Sequence, residues 1–159
     1  MIVLDLRVSL SISGSVPPLF EDLKETLEGA WERFLREHRS LIPHQVEGVE
    51  VSLSFVEPEA MREVNLKYRQ VDSSTDVLSF PLWEEDGRFS PPVGWRWLPL
   101  GDVLVCVQDV EPLGEGDRAR GVLLVIHHGF LHLLGFDHGD EEQRREMWLL
   151  QDELMGFTV

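Results

Sequence analysis

Three histidines, His128, His132 and His138, have the side chains and the spacing needed to hold one metal ion. On a helix, His128 and His132 are four residues apart, so both imidazoles project from the same face. Gly135 can adopt the left-handed conformation that ends a helix, which lets the chain turn back and bring His138 alongside. Histidines on an apolar helix are more often packed core residues, but three at this spacing favour a metal site.

The absence of a fourth nearby ligand predicts a catalytic rather than a structural site. Zinc sites with three protein ligands keep a position for water or substrate, whereas structural sites usually close it with a fourth side chain, most often cysteine. The single cysteine, Cys106, lies in an apolar strand-like run far from the histidines. A water on zinc would have a pKa of about 7 and could act as hydroxide. Imidazoles also suit nickel, copper and iron, so the ligand type alone does not select zinc.

The other three histidines are not predicted to be ligands. His127 is rotated by about 100° from His128 on a helix, which predicts packing or solvent contact. His38 and His44 lie at a helix end and in a loop, and no role is assigned to either.

Gly129 occupies the position at which zinc peptidases of the H-E-x-x-H type carry their catalytic glutamate. The usual peptidase base is therefore absent. A glycine within a helix costs about 1 kcal/mol relative to alanine, so it serves either close approach of a substrate or backbone, or tight helix packing. The base is then either the metal-activated water or another carboxylate, such as Asp102.

A second segment carries a recognisable pattern of polar residues. Residues 68–81 read Y-R-x-x-D-x-x-T-D-V-L-S-F-P, and Leu100-Gly101-Asp102 follows later. Together with H-x-x-x-H-x-x-G-x-x-H, these motifs resemble the YbeY family of bacterial single-strand-specific endoribonucleases, over roughly residues 65–138. The resemblance implies one zinc ion on His128, His132 and His138, with Arg69 and His128 as catalytic residues. It also implies a ribosomal RNA precursor as substrate, maturation of the 3′ end of small-subunit RNA, ribosome quality control, and ribosomal proteins as further partners.

Physical reasoning supports a role for Arg69 independently. Cleaving a phosphodiester builds negative charge on the non-bridging oxygens, and a planar guanidinium can contact two of them at once, which lysine does poorly. Without the family resemblance, an ion pair of Arg69 with Asp72 or Asp76 would be the preferred interpretation. With it, we expect a catalytic role.

Length and composition predict one domain over residues 1–159. A chain of 159 residues with 43% hydrophobic and 27% charged side chains can bury a proper core. No apolar run approaches the roughly 20 residues that span a bilayer, and a secretory signal pattern is absent, so we expect a cytoplasmic protein with no membrane partner. The lone cysteine cannot form an internal disulfide, which agrees with a reducing compartment.

The net charge of −15 argues against a nucleic-acid partner. Charge is local, however, and five basic residues flank the two motif segments: Arg62, Lys67, Arg69, Arg118 and Arg120. A metal ion adds two positive charges. We therefore expect weak, salt-sensitive binding of single-stranded RNA, or binding assisted by a protein partner.

Hydrophobic periodicity predicts an α+β domain with a mixed sheet of about four strands packed with helices. Strands are predicted at 3–12, 49–55, 76–82 and 103–107, and helices at about 20–38, 58–68, from 117 through the histidines, and from 140 onward. Asp140 with Gln143 resembles a capping box, so Asp140 is interpreted as a helix cap. Asp137 either orients an imidazole or forms a turn.

Several tryptophans invite a role in binding bases. Trp95 and Trp97 lie in a long loop and could stack on unpaired bases, although packing over the sheet is expected for at least one. Trp148, Leu149 and Met155 are predicted to pack in the core from the final helix.

Two other classes of function remain open from the residues. A zinc peptidase fits the histidine spacing, though not Gly129. A non-enzymatic module, in which zinc braces the fold and the chain acts through ribosome or protein contacts, fits as well.

Overall fold

A computed structural model describes residues 5–111 and 117–158. Its six strands are β1 (Arg7–Gly14), β2 (Gly48–Phe55), β3 (Val77–Pro81), β4 (Glu84–Glu85), β5 (Arg88–Phe89) and β6 (Trp97–Val105). Its four α-helices are α1 (Leu23–Glu37), α2 (Pro58–Arg69), α3 (Arg118–Leu133) and α4 (Glu141–Phe157). No helix within the described ranges is long and apolar enough to cross a membrane.

Four strands form one mixed sheet in the order β1-β2-β6-β3. The pairs β1–β2 and β2–β6 are parallel, whereas β3 runs antiparallel to β6 and forms an edge. Strands β4 and β5 make a separate small hairpin. The prediction of an α+β domain with a four-stranded mixed sheet is confirmed.

The helices cover the two faces of the sheet unequally. The main core joins α1, α3 and α4 to one face, and its largest fully buried side chains include Trp31, Phe34 and Phe130. A smaller cluster of Met61, Leu78 and Cys106 lies beneath α2. Helix α3 therefore stands on a well-packed layer, with α2 ending near the β3 edge.

Three elements have a bound that differs from the sequence prediction by three residues or more. Strand β1 covers 7–14 rather than 3–12, and Val3 and Leu4 of the predicted strand lie outside the described residues. Helix α1 begins at Leu23, after the proline-containing turn. Strand β6 spans Trp97–Val105 rather than 103–107. It can include Pro99, which has no N–H for the ladder, because the register between β2 and β6 shifts next to this residue, between Glu50 and Val51.

Candidate metal centre

Helix α3 presents the first two histidines from a rigid base. Its N-cap is Asp117, whose carboxylate accepts the backbone N–H of Arg120 at 3.0 Å, as expected for a capping aspartate. Val122, Ile126 and Phe130 on this helix are fully buried. Ligands on such a helix have little freedom to move.

The chain turns back after α3, as the sequence predicts. Gly135 has a φ of 91°, and its N–H donates to the carbonyl of His132 at 3.0 Å. The N–H of Phe136 donates to the carbonyl of Leu131 at 3.1 Å. This left-handed turn brings His138 to the other two histidines.

The three imidazoles form one compact cluster. Each offers a nitrogen within 4.8 Å of the others, and the Nε2 atoms of His128 and His132 are 2.9 Å apart. Ring centroids are separated by 4.5 Å for His128 and His132, 5.5 Å for His128 and His138, and 5.4 Å for His132 and His138.

This donor set fits a divalent cation such as zinc. Two imidazole nitrogens on a tetrahedral zinc are roughly 3.3 Å apart, given Zn–N bonds of about 2.0–2.1 Å. The observed spacing is close to that value. The side-chain oxygen of Gln151 lies 3.0 Å from Nδ1 of His128, where it accepts the Nδ1 proton and leaves Nε2 free to bind the metal.

Burial favours the neutral form of two of the three imidazoles, those of His128 and His132. It lowers the pKa of His132 to about 4, with a smaller contribution from the nearby His128. Burial also lowers the pKa of His128, against the opposing effect of its Gln151 hydrogen bond. Because metal ligands must be deprotonated, both rings are ready to bind a cation at neutral pH.

A cleft of about 410 Å³ opens in front of the histidines. One wall is the edge strand β3, and another is the β4–β5 hairpin, which contributes Glu84 and Gly87. Arg69, at the end of α2, also lines it. The cleft thus brings the two motif segments together, although they are far apart in the chain.

Arg69 is held in the cleft by the edge of β3. Its Nη2 donates to the carbonyl of Ser79 at 2.8 Å, and its guanidinium lies 5.5 Å from the centre of the Phe80 ring. Asp72 instead pairs with Arg62, with N–O distances of 2.6 and 3.1 Å. In the part of the chain that the structure describes, Arg69 makes no ion pair with Asp72 or Asp76. A surface ion pair, the alternative role for this arginine, therefore does not explain its position.

The carboxylates that face the histidines are Asp76, Glu84 and Asp137. Asp102, the carboxylate that the sequence offered as one alternative for the base, is not among them. Its neighbours Gly101 and Val103 contact α3, so the alternation of a strand places Asp102 on the opposite face of the sheet, where it is exposed. Asp137 accepts the backbone N–H of His138 at 2.8 Å, which makes it a turn residue beside the cluster.

Gly129 and His127 serve packing. A methyl group at Gly129 would lie 2.7 Å from Cγ1 of Val103, so the glycine lets α3 approach β6 closely. His127 is fully buried, and its Nδ1 accepts the indole N–H of Trp31 at 3.0 Å. His38 lies 3.1 Å from Glu153, away from the cleft.

The tryptophans near the cleft are not those singled out by the sequence. Neither Trp95 nor Trp97 lines the cleft: Trp95 packs against Trp83, and Trp97 covers Gly48. Met155 is buried as predicted, but the prediction that Trp148 and Leu149 pack in the core was wrong, because they are 53% and 65% exposed. Trp148 instead borders the histidines. Asp140 is confirmed as the cap of α4, accepting the N–H of Gln143 at 2.8 Å.

The sequence of this chain decides its family. Residues 20–158 match the family model described as Endoribonuclease YbeY. The chain belongs to the YbeY family. An Endoribonuclease YbeY of Bacillus cereus (strain G9842) is 36% identical over 146 residues, covering 86% of this chain and 92% of the relative. An Endoribonuclease YbeY of Geobacillus thermodenitrificans (strain NG80-2) is 40% identical over 136 residues, covering 78% and 81%.

A solved structure shares the fold. The solution structure of TM1509 from Thermotoga maritima has a TM-score of 0.55 and 24% sequence identity to this chain. The similarity covers 94% of this chain and 89% of the other. The YbeY-family resemblance drawn from the motifs is confirmed, and the three histidines and Arg69 lie around one cleft.

Proposed function

We propose that this chain is a metal-dependent endoribonuclease that cleaves single-stranded RNA during ribosomal RNA maturation, with zinc as its metal. Membership of the YbeY family supports the activity. The observation that carries the proposal is one cleft that is lined by Arg69 and by three histidines with convergent nitrogens. The cytoplasm, a ribosomal RNA precursor and ribosomal proteins are the corresponding location and partners.

His128, His132 and His138 would hold the cation. When bound, the cation supplies Lewis acidity for the phosphodiester and its attacking group. Gln151 keeps the His128 ring in the tautomer that leaves Nε2 available, because its oxygen accepts the proton on Nδ1. Helix α3 and the turn at Gly135 fix the directions from which the three rings approach.

Arg69 would neutralise the charge that develops on the phosphate. Its Nη2 is fixed by the Ser79 carbonyl, which leaves its remaining N–H donors for non-bridging oxygens. This role is the same whether the attacking group is water or the 2′-hydroxyl of the RNA, since both routes build charge on the same oxygens.

Asp76 is the carboxylate we assign to proton transfer. It lines the cleft, and its negative charge acts on His128. Its carbonyl accepts the N–H of Cys106 at 2.9 Å, so its backbone is anchored to the sheet. A carboxylate in the cleft can accept a proton from the attacking hydroxyl.

Metal content and RNA cleavage measured in parallel test this proposal. Arg69→Ala should keep the metal and lose most activity, whereas His128→Ala should lose both. Arg62→Ala is the matched control, because Arg62 lies on the same helix but pairs with Asp72 in solvent. Normal cleavage by Arg69→Ala would show that its assigned role is wrong.

The same preparations separate the rival functions. Peptide hydrolysis that survives Arg69→Ala but not His132→Ala would favour a peptidase. Full RNA cleavage after chelation would favour a module in which the metal only braces the fold.

A further inference from the structure

A second pocket adjoins the metal centre on the side of α4. It has a volume of about 240 Å³ and is lined by His128, His138, Arg144, Met147, Trp148 and Gln151. His128 and His138 line both this pocket and the main cleft. The two depressions are therefore neighbours on either side of the same imidazoles, and a bound strand that crosses the metal centre can enter both.

Trp148 is the unusual residue of this pocket. Its side chain is 53% exposed, although the same helix buries Met147 and Leu154 almost completely. An indole exposed to this degree leaves a flat apolar surface in solvent beside the metal centre. The sequence spacing places Arg144 one turn before it and Gln151 one turn after it, on one helix stripe.

The shape and chemistry of this pocket fit a nucleobase. An indole is a good stacking surface for any base, and stacking tolerates sequence because every base has a π-face. Arg144 supplies a positive charge at the rim, and within the described residues no salt bridge engages it. Met147, which is almost fully buried, lines the pocket from within α4.

Stacking also suits the charge of this protein. With a net charge of −15, general attraction for phosphates is weak. Stacking of a base on a neutral aromatic ring adds affinity for RNA that does not depend on attraction between charges. Salt therefore weakens this contribution little.

We propose that this pocket is a nucleobase subsite, in which one unpaired base next to the cleaved linkage stacks on Trp148 while Arg144 contacts the neighbouring phosphate. The inference rests on the proposed endoribonuclease function. It gives that function a structural basis for choosing single strands, because a base must leave its helix to reach Trp148.

Steady-state cleavage of a short oligoribonucleotide tests the subsite. Trp148→Ala should raise KM about ten-fold to a hundred-fold and leave kcat and metal content close to wild type. Trp148→Phe should recover much of the loss, since it restores an aromatic face. Leu149→Ala is the matched control, because Leu149 is also exposed on the same helix but does not line the pocket.

A substrate with one abasic position provides the decisive comparison. A series of substrates places the abasic position at each nucleotide of the strand in turn. At one site beside the cleaved bond, it should raise the KM of the wild-type protein by about the same factor as Trp148→Ala does with the intact substrate. With the abasic position at that site, the KM of Trp148→Ala should not rise further, because the indole that the missing base would contact is already absent. Wild-type protein that fails to cleave RNA would overturn the proposed function. Two results would overturn the subsite alone, provided that the wild-type protein cleaves RNA. One is an unchanged KM in Trp148→Ala, and the other is an increase in KM from the abasic position that is as large in Trp148→Ala as in wild type.

Discussion

The side-chain oxygen of Gln151 on α4 lies 3.0 Å from Nδ1 of His128 on α3. Gln151 is only 5% exposed, so this contact is shielded from water. It couples the last helix to the metal centre, and the orientation of one ligand thus depends on a residue that follows it by more than twenty positions.

Removing this acceptor should weaken metal binding. Gln151→Leu should lower zinc affinity about 10- to 100-fold, because partners of this kind fix the ligand tautomer and ring orientation. Gln151→Glu, which keeps an acceptor oxygen, should bind zinc at least as well as Gln151→Leu. Competition with a chromophoric chelator measures both, and equal affinity in wild type and Gln151→Leu would contradict this role.

The metal should also control RNA binding. The cleft is lined by three carboxylates and one arginine, which gives a net charge of −2: Asp76, Glu84, Asp137 and Arg69. One divalent cation cancels this charge. Metal-free protein should therefore bind an RNA oligonucleotide about ten-fold or more weakly, and the deficit should shrink as salt screens the repulsion. Fluorescence anisotropy with a 2′-O-methyl oligonucleotide, which prevents attack by the 2′-hydroxyl, measures this. Identical affinity with and without zinc would refute it.

Substitutions of Asp76, which lines the cleft, and of Asp102, the carboxylate that the sequence offered as a possible base, should differ in their effect on activity. Asp76→Asn should reduce kcat by about 10²- to 10⁴-fold, as for loss of a general base, with metal retained. Asp102→Asn should leave kcat nearly unchanged because Asp102 faces away from the cleft. A larger loss in Asp102→Asn than in Asp76→Asn would reverse the assignment.

The close approach of α3 to β6 should make Gly129 intolerant of a side chain. Gly129→Ala should lower the free energy of unfolding by about 1–2 kcal/mol, because overpacking against Val103 exceeds the gain in helix propensity. Gly29→Ala is the control: Gly29 lies within α1 with nothing within 4 Å of the added methyl, so it should stabilise by up to about 1 kcal/mol. Urea denaturation measures both. Val103→Ala should reduce the cost of Gly129→Ala if the clash is its cause.

Stability should fall at acidic pH because of His127. Burial lowers the pKa of His127 to about 3 in the folded protein, whereas the unfolded chain should titrate near 6.5. Between these values the unfolded state binds the extra proton, so the free energy of unfolding decreases as the pH falls, by about 2 kcal/mol from pH 7 to 5. Unfolding of metal-free wild type and His127→Gln at both pH values isolates this contribution. An equal pH dependence in the two proteins would contradict it.

The strands and the histidine cluster were predictable from the sequence because each is encoded locally. Alternation marked β1 and β2, and the spacing of His128, His132 and Gly135 marked the turn that carries His138. The faces of α4 were not predictable. Its buried stripe includes the polar Gln151 as well as Met147, so a search for apolar positions chose Trp148, which is one residue from Met147. The face occupied by Asp102 also required the three-dimensional sheet.

The order of the elements along the chain fixes the order in which the sheet and the metal ligands are synthesised. The last sheet strand ends at Val105, and every histidine of the cluster follows it. During translation, the scaffold and Arg69 emerge from the ribosome before any ligand does. A nascent chain therefore lacks all three candidate metal ligands while the strands of its sheet are being made.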